Sequence, residues 1–432
     1  MRKRVFILNL LVISLLILTC SSGLIYAQTQ QKERRLQIAI AGSIQNPDPS
    51  YNPFVVCEPQ EVKLLLLEMA EQPMTREGVS SRLSGSKTTI DDLLRLEIIR
   101  QEDELYYINF PLFTDRDQEL IIQVAEKYGQ LLVDSISQKK EKIYQLLGGY
   151  RPSGVEPSKL AFIVIGGLIL DLGGLDLLAE HGYIVTGPEK PGGNRYILNA
   201  QEVTEFSLKE LYWGCHTDDA NGAVLMTFGD HHAETVRNGF PDLMWGFGRK
   251  LGTYLKEELP ELYGTELLIV LNDQMNSFLE NVVAIVLRLK ESPAGLPELE
   301  KATSLNPDYL EHILNFLMKI RYISQEGDSY HLLIPVFTEA DQNMFQRIQT
   351  LVNQEILNWI HNYYDRIKED LREISAVRNR VNYGEVFNLL WHYFFGYTNK
   401  FLARFGLIYD TYSAPQGFTG YLPAVLAGLK GW

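Results

Sequence analysis

One stretch of this chain occurs twice. Tyr107-Ile-Asn-Phe-Pro-Leu-Phe-Thr-Asp-Arg-Asp-Gln118 is matched by His331-Leu-Leu-Ile-Pro-Val-Phe-Thr-Glu-Ala-Asp-Gln342. Pro111, Phe113, Thr114, Asp117 and Gln118 recur as Pro335, Phe337, Thr338, Asp341 and Gln342, all at one constant offset. The same offset runs without a gap to Pro191/Pro415 and Gly193/Gly417. An in-phase match of that length reads as an internal duplication, so the fold must be one that two copies of a single unit can build. In each copy an apolar strand passes through Pro-x-Phe-Thr into a long amphipathic helix. Ile121, Val124, Tyr128 and Leu132 on one face match Phe345, Ile348, Val352 and Ile356. Thr114 and Thr338 are placed as N-caps. Asp117 and Asp341 stand at the third helical position, where a carboxylate caps back and meets the positive helix end.

Before each landmark the apolar periodicity gives three helices and a hairpin. In copy 1, Val62, Leu65, Leu66 and Met69 make the first helix, and Thr75 caps a second that runs to Leu83. Ile90, Leu93 and Leu94, with Leu96 as a further candidate, face inward from the third. Ile98-Ile99 and Leu105-Tyr-Tyr-Ile108 then flank an acidic tip. Copy 2 repeats the order, with Val282, Ile285, Val286 and Leu289, then Leu296 to Ala302, then Asn306-Pro307 opening a helix that buries Leu310, Ile313, Leu314 and Leu317. A wing with a Glu-Gly-Asp tip follows. Thr75, Val79, Leu83, Thr89-Ile90, Leu93, Leu96 and Ile98-Ile99 resemble the winged helix-turn-helix of ArsR-like and MarR-like regulators over about fifty residues per copy. The resemblance implies a winged-helix fold and, for function, DNA binding, though one scaffold hosts many roles.

The charge pattern opposes that function. The chain carries 40 Lys+Arg against 54 Asp+Glu, a formal charge of −14. A reader of DNA needs cations and hydrogen-bonding side chains on its third helix and wing. Copy 1 places Asp91, Asp92 and Glu97 among Lys87 and Arg95, and Glu102, Asp103 and Glu104 beside Arg100. Copy 2 has Asp308, Glu311, Glu326 and Asp328 there, with Lys319 and Arg321 at the far end.

The start of the chain reads as an address. Arg2-Lys3-Arg4, the apolar run Val5 to Leu18 and Ile25-Tyr26-Ala27 form a secretory signal peptide with cleavage after Ala27. Ile17-Leu-Thr-Cys20 offers an imperfect lipoprotein box, and an uncleaved anchor is the other alternative. Cleavage removes three cations and no acid, leaving 37 Lys+Arg against 54 Asp+Glu. The mature chain has no membrane span unless the N-terminus is retained. Leu160 to Leu170 is apolar enough, but Asp171 ends it early and it reads as a helix buried between the repeats. Leu178-Ala179, Gly182 and Ile184 recur as Leu402-Ala403, Gly406 and Ile408, a helix end, a Gly cap and a strand.

Residues 203–264 have no partner in the duplication. They read as strands Phe206 to Cys215 and Ala223 to Phe228 with a helix beyond. Cys215, His216, Asp230, His231 and His232 gather thiolate, imidazole and carboxylate groups near the strand ends, a set that would suit zinc. A hairpin capped by hydrogen-bonding residues explains the same set without metal. Cys57 and Cys215 form either one disulfide or two separate buried thiols. The aromatic residues of copy 2, Tyr363-Tyr364 and Trp391 to Phe395, suit either a thick helical core or a groove for a ligand or peptide.

The expected architecture is mainly α (α+β), with two tandem winged-helix repeats, long helical extensions and a small β-containing insert. The divisions are a signal peptide (1–27), a linker that is a tether with at most a short strand (28–55), repeat 1 (56–202), the insert (203–264) and repeat 2 (265–432). The expected function is an exported, non-catalytic binding protein for a protein partner or small ligand. One alternative is a DNA-binding regulator, membrane-tethered or cytoplasmic, and another is a metal-dependent enzyme centred on the insert.

Overall fold

The two threonine-led helix starts form as their spacing dictates. Thr114 accepts from the Asp117 amide while Asp117 accepts from the Thr114 amide at 2.8 Å, and the same reciprocal box closes at Thr338 and Asp341. The computed structural model describes residues 34–150, 155–203, 213–220, 222–230, 275–411 and 420–432. Side chains are described at all of these except 213, 216, 218, 220, 230, 275–277 and 319. The expected signal peptide lies outside the described residues.

In chain order the first half holds strand β1 (Leu36–Ser43), a short helix Pro53–Val56, α1 (Gln60–Glu71), β2 (Met74–Thr75), α2 (Arg76–Arg82) and α3 (Ile90–Arg95). Next come β3 (Ile99–Glu102), β4 (Leu105–Ile108), β5 (Leu112–Phe113) and the long helix α4 (Asp115–Ser137). A helix Lys140–Leu147, a helical run Pro157–Glu180, β6 (Glu189–Lys190) and β7 (Asn194–Glu202) complete it. The hairpin β8 (Trp213–Ala220) and β9 (Ala223–Asp230) follows. The second half holds α5 (Met275–Glu291), α6 (Leu296–Thr303), α7 (Pro307–Lys319), β10 (Ile323–Glu326), β11 (Ser329–Leu332) and β12 (Val336–Thr338). It continues with the long helix α8 (Gln342–Asp370), a short helix Ser375–Arg378, α9 (Tyr383–Arg404) and β13 (Tyr421–Ala427). The class is mainly α with several small sheets. The first residues of β3, β4 and β5 stand to those of β10, β11 and β12 at the offset that relates Pro111 to Pro335.

Four sheets form among the described residues: β2-β4-β3, β10-β11, a sheet ordered β1-β7-β5 with β6 beside β7, and one ordered β12-β13-β9-β8. The last two share a plan. In one, β7 runs parallel to β5 and antiparallel to β1, and Ala200 donates to the Pro111 carbonyl at 3.0 Å. In the other, β13 runs parallel to β12 and antiparallel to β9, and Val425 donates to the Pro335 carbonyl at 3.0 Å. Gly42 faces Tyr196 and Gly229 faces Tyr421. Both glycines have positive φ, +128° and +152°. A Cβ there would sit 2.4 Å from the Arg195 carbonyl oxygen or 2.1 Å from that of Gly420, so only glycine fits.

This pairing gives two of the expected segments a place in the fold. Part of the expected tether is an eight-residue strand, because Leu36, Ile38 and Ile40 have an apolar core to pack against. The hairpin of the expected β-containing insert is built into the second sheet, with β9 between β8 and β13. Of its first strand, expected from Phe206, residues 206–212 lie outside the described residues, and the described part is Trp213–Ala220. Ile184 and Ile408 do not lie in strands. Gly182 and Gly406 end the preceding helices with φ of +75° and +62°, and the two isoleucines that follow are buried in loops. Val185 bonds to the Gly384 carbonyl at 3.2 Å instead of to a sheet.

The interior divides in two. A smaller core packs α1, α2 and α3 with β1, β4 and β7, and a larger one joins both long helices, α5 to α7 and α9. Pro157–Glu180, the one described helix long and apolar enough to cross a membrane, is mostly buried in that larger core. Its central stretch, Phe162–Leu172, is π-helical, and Phe162 through Asp171 are buried. Trp359, Trp391, Phe394 and Phe395 of the second half are buried in this core, with Tyr363 and Tyr364 packed against it. Trp359 donates to the Tyr128 carbonyl at 2.9 Å and Trp391 to the Leu170 carbonyl at 2.8 Å, and the two indoles lie 5.9 Å apart.

Candidate functional site

The surface a winged helix would offer to DNA is used internally in the first half. Helix α3 has only six residues and begins with a Thr89–Asp92 capping box. The Thr89 amide and hydroxyl, aided by Arg95, hold the Asp92 carboxyl below the usual carboxylate range. Arg95 donates to Asp92 at 2.7 Å and to the Ser50 carbonyl at 3.2 Å, and its guanidinium lies 5.6 Å from the Tyr51 ring centre. Thus the segment before the short helix Pro53–Val56 lies against the side chain that would enter a groove. On the wing, Arg100 donates to Glu102, to the Ile108 carbonyl and, at 2.7 Å, to the Asn379 carbonyl of the second half. Its tip leaves Asp103 and Glu104 exposed.

The second half shows the same sign. Asp308 and Glu311 are exposed near the start of α7, and Glu326 and Asp328 are exposed on the wing. Glu326 lies 3.9 Å from His331. Arg321 is exposed past the helix end, at a φ of +62°. Direct readout needs an uncommitted guanidinium fork or amide presented to base edges. Arg95 and Arg100 have neither freedom nor direction for that.

Beside the short helix Pro53–Val56 a shallow hollow of about 610 Å³ is lined by Pro49, Phe54, Val55, Pro59 and Thr88, with Lys87 at its margin. Phe54 is 39% exposed and Val55 51%, so the hollow has two apolar side chains at the surface. A second, polar cleft of about 550 Å³ lies where α4 meets α8. There Lys127 and Tyr128 both bond to Asp370, at 2.8 and 3.0 Å.

Of the metal candidates, His231 and His232 lie outside the described residues, as do the side chains of His216 and Asp230. Cys215 faces the π-helix. Its amide donates to Asp171 at 2.6 Å and its thiol lies 3.5 Å from the Gly167 carbonyl. Burial, with a smaller contribution from Asp171, pushes the Cys215 thiol well above its ordinary value, so at neutral pH it is a thiol and not a thiolate. That weakens it both as a nucleophile and as a zinc ligand. Among the described residues no group of three or more His, Cys, Asp or Glu side chains is placed to hold a metal. Cys57 and Cys215 are both free; Cys57 is buried in the smaller core, where desolvation pushes its thiol up to about 12.

Three features here were not anticipated. Burial raises Asp171 to about 7, against hydrogen bonds from Cys215 that pull it down. Gly166 and Gly167 let the hairpin press onto the π-helix, since a Cβ on Gly166 would lie 2.5 Å from the Phe228 ring. Asn399, also against Gly166, is fully buried, and neither of its amide atoms is hydrogen bonded among the described residues. The adjacent glycines and the lone acid after an apolar run were visible signals, but nothing local tells which strand will approach them.

No protein-family model, curated protein or solved structure matches this chain.

Proposed function

We propose that this protein is a non-catalytic binding protein that works outside the cytoplasm, built on two degenerate winged helices. One observation carries the reading. Arg95 on the third helix and Arg100 on the wing, the two arginines the first winged unit could turn toward DNA there, are bound to backbone carbonyls of their own chain. The acidic wings add repulsion toward phosphate, and the exposed Phe54 and Val55 provide apolar surface of the kind that takes a partner. The charged, apolar and small-residue regions of residues 1–27 favour export.

Two measurements test this. Fluorescence anisotropy with random-sequence duplex DNA at low salt is expected to show no binding. N-terminal sequencing of protein from fractionated cells is expected to find a chain starting at Gln28 outside the cytoplasm. A cytoplasmic chain starting at Met1 that binds duplex DNA overturns the proposal and restores the regulator.

A further inference from the structure

The two sheets with a common plan differ in one place. In the second, β9 lies between β13 and β8. In the first, β1 occupies the position of β9: Leu36 pairs with Glu202 as Ala223 pairs with Ala427, and the glycines Gly42 and Gly229 face Tyr196 and Tyr421. The outer side of β1, where β8 would stand, has no strand on it among the described residues.

We infer that the outer edge of β1 is a docking site for an extended segment of a partner protein, laid antiparallel to β1 as β8 lies on β9, with acidic residues at its C-terminal end. This deepens the binding-protein reading and rests on it.

The backbone directions support the inference. Val203 donates to the Arg35 carbonyl at 2.8 Å, which places Arg35 in the set bonded to β7. Bonding alternates along an antiparallel strand, so Gln37, Ala39 and Ala41 also face β7, while Leu36, Ile38, Ile40 and Gly42 aim their N–H and C=O groups away from it. Ala200, opposite Ile38, accordingly turns its own amide from β1 toward Pro111. The strand is eight residues long and contains no charge and no proline, the devices by which a free edge is normally blunted. An edge of this kind supplies main-chain bonds to any incoming strand, and flanking side chains then select which one.

Arg35 supplies the selection. It is exposed at the N-terminal end of β1 and has no ion pair among the described residues, whereas its neighbour Arg34 is held by Glu202 and Glu71. A strand antiparallel to β1 brings its C-terminal end to Arg35. In the second sheet Val224 and Leu225 are the counterparts of Gln37 and Ile38, and β8 sets Asp219 and Asp218 opposite them. An aspartate at the Asp219 position would therefore share the face of Arg35 one diagonal step along, within reach of an arginine side chain. A second copy of β1 laid on the same edge would bring Ser43 to Arg35 and meet no opposite charge, so the edge suits an acidic-ended partner better than itself.

The probe is a fluorescein-labelled peptide with the sequence of residues 213–220 carrying Cys215→Ser, titrated against the full mature chain by anisotropy. Saturable binding is expected at tens of micromolar or tighter. N-methylation at the His216 and Asp218 positions, whose amides would face β1, is expected to weaken binding at least tenfold, while N-methylation at Thr217 and Asp219 leaves it within about twofold. Arg35→Glu is expected to weaken the acidic peptide at least tenfold and to favour one carrying lysine at the two aspartate positions. No binding at millimolar peptide overturns the inference, as does binding indifferent to Arg35→Glu, which would mean that the peptide replaces β8 on β9. A dimer in sedimentation equilibrium that the peptide dissociates overturns it in favour of a second copy. Failure of the peptide, with export and absence of DNA binding intact, removes the docking edge and leaves the binding-protein reading standing.

Discussion

Tyr150 and Val336 are bonded twice across the molecule: the tyrosine hydroxyl donates to the Val336 carbonyl at 2.8 Å and accepts from the Val336 amide at 3.0 Å. The loop after the helix Lys140–Leu147 thus bonds to the strand of the second half. The reverse contact also exists. Ser375, after the second long helix, bonds through its hydroxyl to the Leu112 carbonyl and to Asp117, and through its amide to Asp117 at 3.0 Å. Leu112 and Val336 stand at the offset that relates Pro111 to Pro335, so each half docks on the strand of the other at that offset. Lys290 reinforces the contact between Tyr150 and Val336. Its ammonium lies 2.8 Å from Asp341 and 4.1 Å from the Tyr150 ring centre.

Tyr150→Phe keeps the ring under Lys290 but leaves the buried Val336 amide without its acceptor. A stability loss of about 1–3 kcal/mol is expected from urea unfolding, the usual cost of an orphaned buried donor. Hydrogen exchange at Val336 should quicken in parallel. Unchanged stability would show that the contact is incidental.

Asp171 should make the protein less stable as pH rises. Its carboxyl is raised to about 7 in the fold by burial, against the Cys215 hydrogen bonds, while in an unfolded chain it ionises near 3.9. The folded state therefore binds the extra proton between these values. The stabilisation is fully present below about pH 4 and is lost as pH climbs through 7. A shift of about three units corresponds to at most about 4 kcal/mol. Asp171→Asn keeps an acceptor for the Cys215 amide without the charge. Relative to wild type it is expected to gain about 2–4 kcal/mol at pH 8 and little at pH 4, in urea titrations across that range. A difference that does not vary with pH would refute the assignment.

Gly42→Ala and Gly229→Ala test whether the two sheets share one plan. Each adds a Cβ into a backbone carbonyl at positive φ, and each is expected to cost about 2–4 kcal/mol. Gly85→Ala is the control. Its φ is also positive, +90°, but nothing lies within 4 Å of the added carbon, so about 1–2 kcal/mol is expected. Equal losses at all three positions would make the close approach in the sheets irrelevant.

What could be read from the sequence was local. The capping boxes at Thr114 and Thr338 each close within one helical turn, and β3-β4 and β10-β11 are tight hairpins, so neighbouring residues determine both. The alternation Leu36-Gln-Ile-Ala-Ile-Ala41 was visible, but its partner β7 comes at the far end of the first half and leaves no mark nearby. The match of β1 to β9 was hidden because Gly42 and Gly229 do not stand at the offset that relates Pro111 to Pro335. The longer segment between β9 and α5 puts them out of phase with that offset. In the candidate site, Cys215 could be named from its chemistry, but its neighbour Asp171 could not. An apolar run says that a helix is buried; it does not say that the helix will widen into a π form or which strand will rest on its glycines. Arg95 and Arg100 could be counted as cations, yet their value to a partner depended on the carbonyls of Ser50 and Asn379, the latter in the other half of the chain.

The reciprocal docking of Tyr150 and Ser375 also sets the mechanics of the molecule. Two units joined by one patch can swing on it as on a door hinge. Here each half holds the other at a separate point, and the two points are tied together by the packed long helices. To part the halves, a pull must break both clasps at once, so the chain should yield abruptly and as a whole instead of opening by degrees.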